Sequence, residues 1–137
     1  MIRAFLFLVL LVIASPALAQ SLDGTWLLFR DPADAELTAL EAAGGRLPAE
    51  EISRRARIEF AGTAATVHAG GAEVRMTIAP TQTEWGVDAQ VSRLEGTAAP
   101  ITFLRIQRSG PDRATLTSYT GQTPLESFVI LRVRPQR

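Results

Sequence analysis

Few of the residue types that perform catalysis or bind metal ions occur in this chain of 137 residues. It contains no cysteine and one histidine, His68, which excludes thiolate metal sites and any metal cluster built on several histidines. A nucleophilic triad would have to use His68, yet no Gly-x-Ser-x-Gly pattern accompanies it. Glu50 and Glu51 are adjacent, so on a helix their carboxylates would point in different directions. An enzyme is therefore the least favoured class of function, and no cofactor is expected.

Arginine is the residue type that offers the most binding chemistry. The 14 basic residues are all arginine and stand against 14 Asp and Glu. Because both signs are interspersed, there is no basic stripe to follow a phosphate backbone, and nucleic-acid binding is not expected. Three segments share a pattern in which two large apolar residues at alternate positions are followed by an arginine: Trp26-Leu28-Arg30, Ile101-Phe103-Arg105 and Phe128-Ile130-Arg132.

Alternate residues share one face of a β-strand, so this pattern predicts inward faces whose arginines lie near strand ends. The candidate ligand-binding residues are then Arg132, Arg105, Phe103, Phe128 and Met76. The last strand also allows a competing interpretation, since Val129, Leu131 and Val133 form a purely apolar set. Simple burial would turn that set inward and send Arg132 and Arg134 to solvent. The sequence leaves the choice between these two parities open.

The first nineteen residues have the organisation of a secretory signal peptide. Arg3 gives a positive start, an apolar run follows from Ala4 to Ala14, and the small-x-small site Ala17-Leu18-Ala19 precedes Gln20. The apolar run is too short for an ordinary membrane-spanning helix, and no later stretch is long enough to be one. We therefore predict a signal peptide at residues 1–19, a single domain at residues 20–137, and a periplasmic or secreted location.

Two short helices are predicted after the first strand. Asp31 is a suitable N-cap with Pro32 in the first turn, and Gly44-Gly45 would end that helix. A second helix can begin at Pro48, with acidic residues near its start and arginines near its end. The apolar residues of the two helices would pack across one open end of the fold as a lid: Leu37, Leu40, Leu47 and Ile52.

The remaining segments alternate apolar and polar residues, with turn signals at the spacing typical of an antiparallel meander. The predicted strands are residues 22–30, 57–60, 66–68, 74–78, 87–94, 101–107, 113–120 and 127–134. Gly70-Gly71 suits a tight hairpin because glycine tolerates positive φ. About eight sequential strands can hide their edges by closing into an up-and-down barrel, which is the first choice, with a β-sandwich as the alternative.

Gly24-Thr25-Trp26 on the first strand and Arg132 on the last add a motif to this order of elements. A Gly-x-Trp start, two short helices, a meander of hairpins and a late arginine resemble the lipocalin-like, or calycin, superfamily. The helix pair is similar to that of the intracellular fatty-acid-binding branch. The signal peptide and the short chain resemble small exported bacterial lipocalin-like proteins. The resemblance implies an antiparallel barrel.

In such a barrel the start of the first strand lies beside the end of the last. Trp26 then neighbours Arg132 or Arg134, and an arginine stacked on the indole would form a structural plug at the floor. The alternative role of Arg132 is to receive a ligand carboxylate inside the cavity. The floor interpretation is preferred, because strand direction and the motif both place Arg132 beside Trp26.

Two functions from different classes remain after this reasoning. The first is an exported, non-enzymatic binding protein that holds a small apolar or amphipathic ligand in its barrel. The second is a protein-interaction module, an inhibitor or envelope-assembly factor, whose barrel is filled by side chains and whose exposed loops include Trp85. An eight-stranded barrel is wide enough for either outcome.

Trp26→Ala should lower the free energy of unfolding by about 3 to 5 kcal/mol, the usual cost of emptying a large buried aromatic site. Chemical denaturation measures the loss. A loss below about 1 kcal/mol would mean that Trp26 is exposed and that no plug is formed.

Overall fold

Nine strands and two short helices make up residues 21–96 and 100–136, the part of the chain that the computed structural model describes. The helices are α1 (Ala35–Ala42) and α2 (Ala49–Arg54). The strands are β1 (Gly24–Phe29), β2 (Arg46–Pro48), β3 (Arg57–Ala61), β4 (Ala64–Ala69), β5 (Ala72–Gln82), β6 (Gly86–Glu95), β7 (Phe103–Gly110), β8 (Arg113–Thr120) and β9 (Thr123–Gln136). The predicted signal peptide lies outside the described residues.

Eight of these strands form a closed antiparallel barrel. Strands β3 to β9 pair in sequence order, β1 pairs with β3, and β1 also pairs with β9 to close the sheet. Trp26 is the register partner of Arg132 in the closing pair. The predicted up-and-down barrel is confirmed, with two short helices between its first two barrel strands, and the β-sandwich alternative is not adopted. Among the described helices, none is long and apolar enough to span a membrane.

The ninth strand, β2, was not predicted from the sequence. It pairs parallel to the end of β9, with Leu47 opposite Pro135. The approach is close: a Cβ on Gly45 would lie 2.4 Å from the Arg132 carbonyl oxygen, and Gly45 has φ of +72°. Only glycine fits this position without strain. At the β4–β5 turn, Gly70 and Gly71 have φ of 59° and 80°, as the predicted tight hairpin requires.

The interior of the barrel is an apolar core that fills one end. Its fully buried side chains come from every barrel strand: Trp26, Ile58, Phe60, Ala65, Met76, Ile78, Val87, Ala89, Leu104, Ile106, Ala114, Leu116 and Ile130. Leu22, just before β1, belongs to the same cluster. The end of the barrel at which β1 begins is therefore packed, and we call it the floor.

The helices do not cover an open end of the barrel, so the predicted lid is wrong. They pack against the outer wall formed by β1 and β9, in a second apolar cluster separate from the barrel interior. The members of this cluster are Leu27, Phe29, Leu37, Leu40, Leu47, Ile52, Val129, Leu131 and Val133. The physical reason is that β1 and β9 carry apolar side chains on both faces, and the helices bury the side chains that point away from the barrel interior.

Helix α1 begins one turn later than the sequence indicated. Asp34 is its N-cap, since Asp34 Oδ1 accepts a hydrogen bond from the Glu36 backbone N–H at 2.8 Å. Asp31 instead caps a preceding turn, where its Oδ1 accepts from the Ala33 N–H at 2.9 Å. Both aspartates offer the same cap chemistry, so residue type alone does not distinguish them. Helix α2 follows Pro48, as predicted.

Leu37→Ala should lower the free energy of unfolding by about 2 to 5 kcal/mol, because Leu37 is fully buried between α1 and the barrel wall. The exposed Thr38→Ala on the same helix is the control and should change stability by less than about 1 kcal/mol. Urea denaturation of both variants measures this. Equal effects in the two variants would contradict the outer packing of α1.

Candidate functional site

A cavity of about 400 Å³ occupies the end of the barrel opposite the floor. Four of its lining side chains are buried: Ile58, Met76, Leu104 and Leu116. The others in the apolar lining are more exposed: Leu28, Val67, Val74, Ile101, Leu125 and Phe128. The volume lies in the range of small-molecule sites in proteins, and the mainly apolar wall is typical of them. The barrel is thus filled at one end and hollow at the other.

Two polar side chains line the cavity, Ser118 on β8 and Glu126 on β9. They are register partners across these neighbouring strands. Directly opposite residues have Cβ atoms about 5 Å apart, so one small group can contact both. Glu126 is exposed and Ser118 is partly buried. We call the end of the cavity marked by Ser118, Leu125 and Glu126 the mouth.

The floor is sealed around Trp26, which has no exposed surface. Its indole N–H donates a hydrogen bond to the Leu22 carbonyl oxygen at 2.8 Å. The guanidinium carbon of Arg132 lies 4.5 Å from the centre of the indole ring, within cation–π distance. The Leu22 side chain is buried in the same core. The segment just before β1 is therefore part of the floor rather than a free arm.

Two arginines converge on this segment. Arg132 Nη2 donates to the Ser21 carbonyl oxygen at 2.9 Å, and Arg108 Nη2 donates to the same oxygen at 3.2 Å. Arg108 Nη1 also donates to the Pro111 carbonyl oxygen at 3.2 Å. Burial, with the charge of Arg132 nearby, lowers the pKa of Arg108 below its ordinary value. Asp112 offsets part of this positive charge, since its Oδ1 lies 3.7 Å from Arg132 Nε.

The sequence-predicted site residues divide into three places. Met76 and Phe128 line the cavity. Arg132 lies at the floor and is not part of the cavity lining, and Arg134 is an exposed partner of Asp112 at 3.4 Å rather than a cover for Trp26. Phe103 and Arg105 lie outside the barrel, which corrects their expected inward position.

The parity of β7 explains this correction. Leu104 and Ile106 are fully buried inside the barrel, so their neighbours Phe103 and Arg105 must face out. The apolar-x-apolar-x-Arg pattern of Ile101-Phe103-Arg105 occurs a second time, three residues further along, as Leu104-Ile106-Arg108. This second set is the one that faces the barrel interior. On β9 both parities are buried, because Ile130 faces the barrel and Leu131 faces the helices.

The outer face of β6, β7 and β8 carries a row of aromatic and charged side chains. Arg105 donates to both carboxylate oxygens of Asp88, at 3.1 and 3.2 Å, and this pairing raises its pKa. The Arg105 guanidinium lies 5.4 Å from the Trp85 ring centre and 5.6 Å from that of Phe103. Phe103 packs edge-to-face on Tyr119. Trp85, just before β6, is 43% exposed.

Sequence reasoning missed four of the residues that form the floor and the mouth: Ser21, Arg108, Ser118 and Glu126. Arg108 was detectable from the alternation of Leu104, Ile106 and Arg108. No sequence signal identifies the carbonyl oxygen of Ser21, because a backbone group carries no residue preference. Glu126 was also hidden, since an exposed-looking glutamate near a turn is typical of any hairpin.

Within residues 21–96 and 100–136, no three His, Asp or Glu side chains are grouped to hold a metal ion. His68 lies on the outer wall, with Nε2 3.7 Å from Glu59 Oε2 and 3.9 Å from Glu73 Oε1. Comparisons of the chain with protein families, with curated proteins and with solved structures found no match.

Arg132→Met should lower the free energy of unfolding by about 1 to 3 kcal/mol, because it removes the cation–π contact and the charged hydrogen bond to Ser21. Arg134→Met is the matched control, since its ion pair is exposed and should contribute less than about 1 kcal/mol. Affinity for any cavity ligand should stay within about twofold in both variants. A large loss of affinity in Arg132→Met alone would contradict the floor role.

Proposed function

We propose that this protein is a lipocalin-like binding protein that holds one small apolar or amphipathic ligand in its barrel. The observation that carries the proposal is the half-filled interior: a packed floor around Trp26 and an apolar cavity of about 400 Å³ at the other end. A barrel whose only purpose was structural could fill both ends with side chains. Leaving apolar walls unpacked forfeits dispersion contacts, and a ligand would restore them.

The cavity volume limits the size of the ligand. At roughly 30 Å³ per water-sized group, 400 Å³ accommodates about a dozen non-hydrogen atoms. The apolar walls favour an alkyl chain or a small ring system, while Ser118 and Glu126 leave one place for a polar group. An amphipathic molecule with a short apolar body satisfies both conditions.

The proposal includes no catalytic step. The polar groups of the described lining are one hydroxyl, Ser118, and one carboxylate, Glu126, and the two side chains make no hydrogen bond with each other. The proposed site of action is the periplasm or the exterior of the cell. This part rests on the signal-peptide pattern of residues 1–19.

A second function, a protein-interaction module, is favoured by one specific observation. The exposed Trp85 and the neighbouring Arg105, Phe103 and Tyr119 form a continuous aromatic row on the outer wall. Tryptophan, tyrosine and arginine are the residues that most often dominate the energetics of protein interfaces. This row and the cavity lie on different faces of the barrel wall, so the two functions can be tested independently.

Native mass spectrometry of the protein purified from its own host directly tests whether the barrel holds a ligand, which we call the container function. We expect a bound small molecule near 1:1 stoichiometry with a mass that matches about a dozen non-hydrogen atoms. Met76→Trp should displace it, because a larger side chain at this buried lining position occupies the cavity. Thr77→Trp on the outer face of the same strand is the control and should retain the ligand.

The same pair of variants quantifies affinity in solution. The affinity for the fluorescent apolar probe 1-aminoanthracene should fall at least about tenfold in Met76→Trp, equivalent to about 1.4 kcal/mol of binding free energy. It should remain unchanged in Thr77→Trp. Circular dichroism must show that both variants are folded. An apo mass for the wild type, together with identical probe binding in both variants, would rule out the proposed binding of a ligand in the barrel. The outer aromatic row would then be the functional surface.

A further inference from the structure

We propose that the mouth selects ligands whose polar end is a cation or a hydrogen-bond donor, with an alkylamine as the simplest example, and disfavours carboxylates. This inference rests on the proposed container function and adds the chemical class of its ligand. The observation behind it is the juxtaposition of Glu126 and Ser118 on facing positions of β8 and β9, both lining the cavity.

The acceptors at the mouth outnumber the donors. An ionised Glu126 carboxylate only accepts hydrogen bonds, while the Ser118 hydroxyl can accept or donate one. In the described part of the chain, neither side chain makes a hydrogen bond or ion pair with another residue. An ammonium group carries three donors and one positive charge, so it can bind Glu126 and Ser118 together. A ligand carboxylate would find one donor and a like charge.

Arg30 contacts one lining residue of the cavity, Phe128, and does not itself line the cavity. Its guanidinium lies over the Phe128 ring, 5.1 Å from the ring centre. Arg30 instead borders a surface depression on the helix side of the barrel, with Asp34 and Glu36. Glu126 therefore lines the cavity directly, whereas Arg30 contacts its lining only through the Phe128 ring.

The floor gives the complementary argument. Fatty-acid recognition inside this barrel would require a cation in the cavity, and the two inward-facing arginines of β7 and β9 both hold the Ser21 carbonyl oxygen instead. The cavity therefore has a negative polar end at the mouth and no positive group among its described lining residues. Electrostatic complementarity then orients an amphipathic ligand with its apolar end toward Ile58 and Leu104 and its cationic end toward Glu126.

Isothermal titration with decylamine, decanol and decanoate at neutral pH tests this inference, since the three ligands share one apolar body. We expect decylamine to bind about three- to tenfold more tightly than decanol, and decanoate to bind most weakly. In Glu126→Gln the decylamine affinity should fall to that of decanol, while the decanol affinity is unchanged. Glu95→Gln removes the same charge from the outer wall near the mouth and should leave the ratio intact.

Each other outcome overturns a defined part of the argument. Equal affinities for all three ligands, insensitive to Glu126→Gln, would keep the container and eliminate selection by the mouth. Tightest binding of decanoate, lost in Arg30→Gln, would assign the polar end to Arg30 and reverse the inference. If no ligand bound to folded protein while 1-aminoanthracene also failed, the container function itself would fall.

Discussion

The pairing of β1 with β9 is the constraint on which the rest of the structure depends. It closes the sheet, so the eight long strands have no free edge along the barrel. Both strands are apolar on both faces: Trp26 and Ile130 point inward, while Leu27 and Leu131 point toward the helices. Because both faces are buried, the two apolar cores meet at the β1–β9 pair. Burial of each aliphatic side chain contributes about 1.5 to 3 kcal/mol to the stability of the fold. The helices and β2 therefore stabilise the closure rather than cover the mouth.

The asymmetry between floor and mouth follows from the pairing of β1 with β9. At the floor, Trp26 fills the barrel, Leu22 packs beneath it, and Arg132 and Arg108 fasten the preceding segment through the Ser21 carbonyl oxygen. The other end holds the cavity, and its lining is mainly aliphatic side chains with Phe128, Ser118 and Glu126. The packed half supports the closed shape, which allows the hollow half to persist without side chains filling it.

The same asymmetry separates the charges of the molecule by role. The arginines that face inward are used at the floor, where they donate to backbone carbonyl oxygens and Arg132 lies near Asp112, although Arg132 Nε itself has no hydrogen-bond partner. Glu126 remains at the mouth with Ser118 opposite it. On the outer wall, Arg105 is held by Asp88 between Trp85 and Phe103. The barrel thus offers one apolar interior with an acidic entrance and, on a separate face, one aromatic surface.

The sequence by itself indicated the eight barrel strands and the two helices, because alternation and turn residues are local signals, and it favoured the barrel that places Trp26 beside Arg132 over a β-sandwich. Only the tertiary structure decided which face of β9 serves which core, since Ile130 and Leu131 are equally apolar and both are buried. It also decided that Leu37 packs on the wall, that Phe103 and Arg105 face outward, and that Ser21 joins the floor. These outcomes depend on contacts between segments that are distant in the chain, and no local pattern records which apolar surface packs against which.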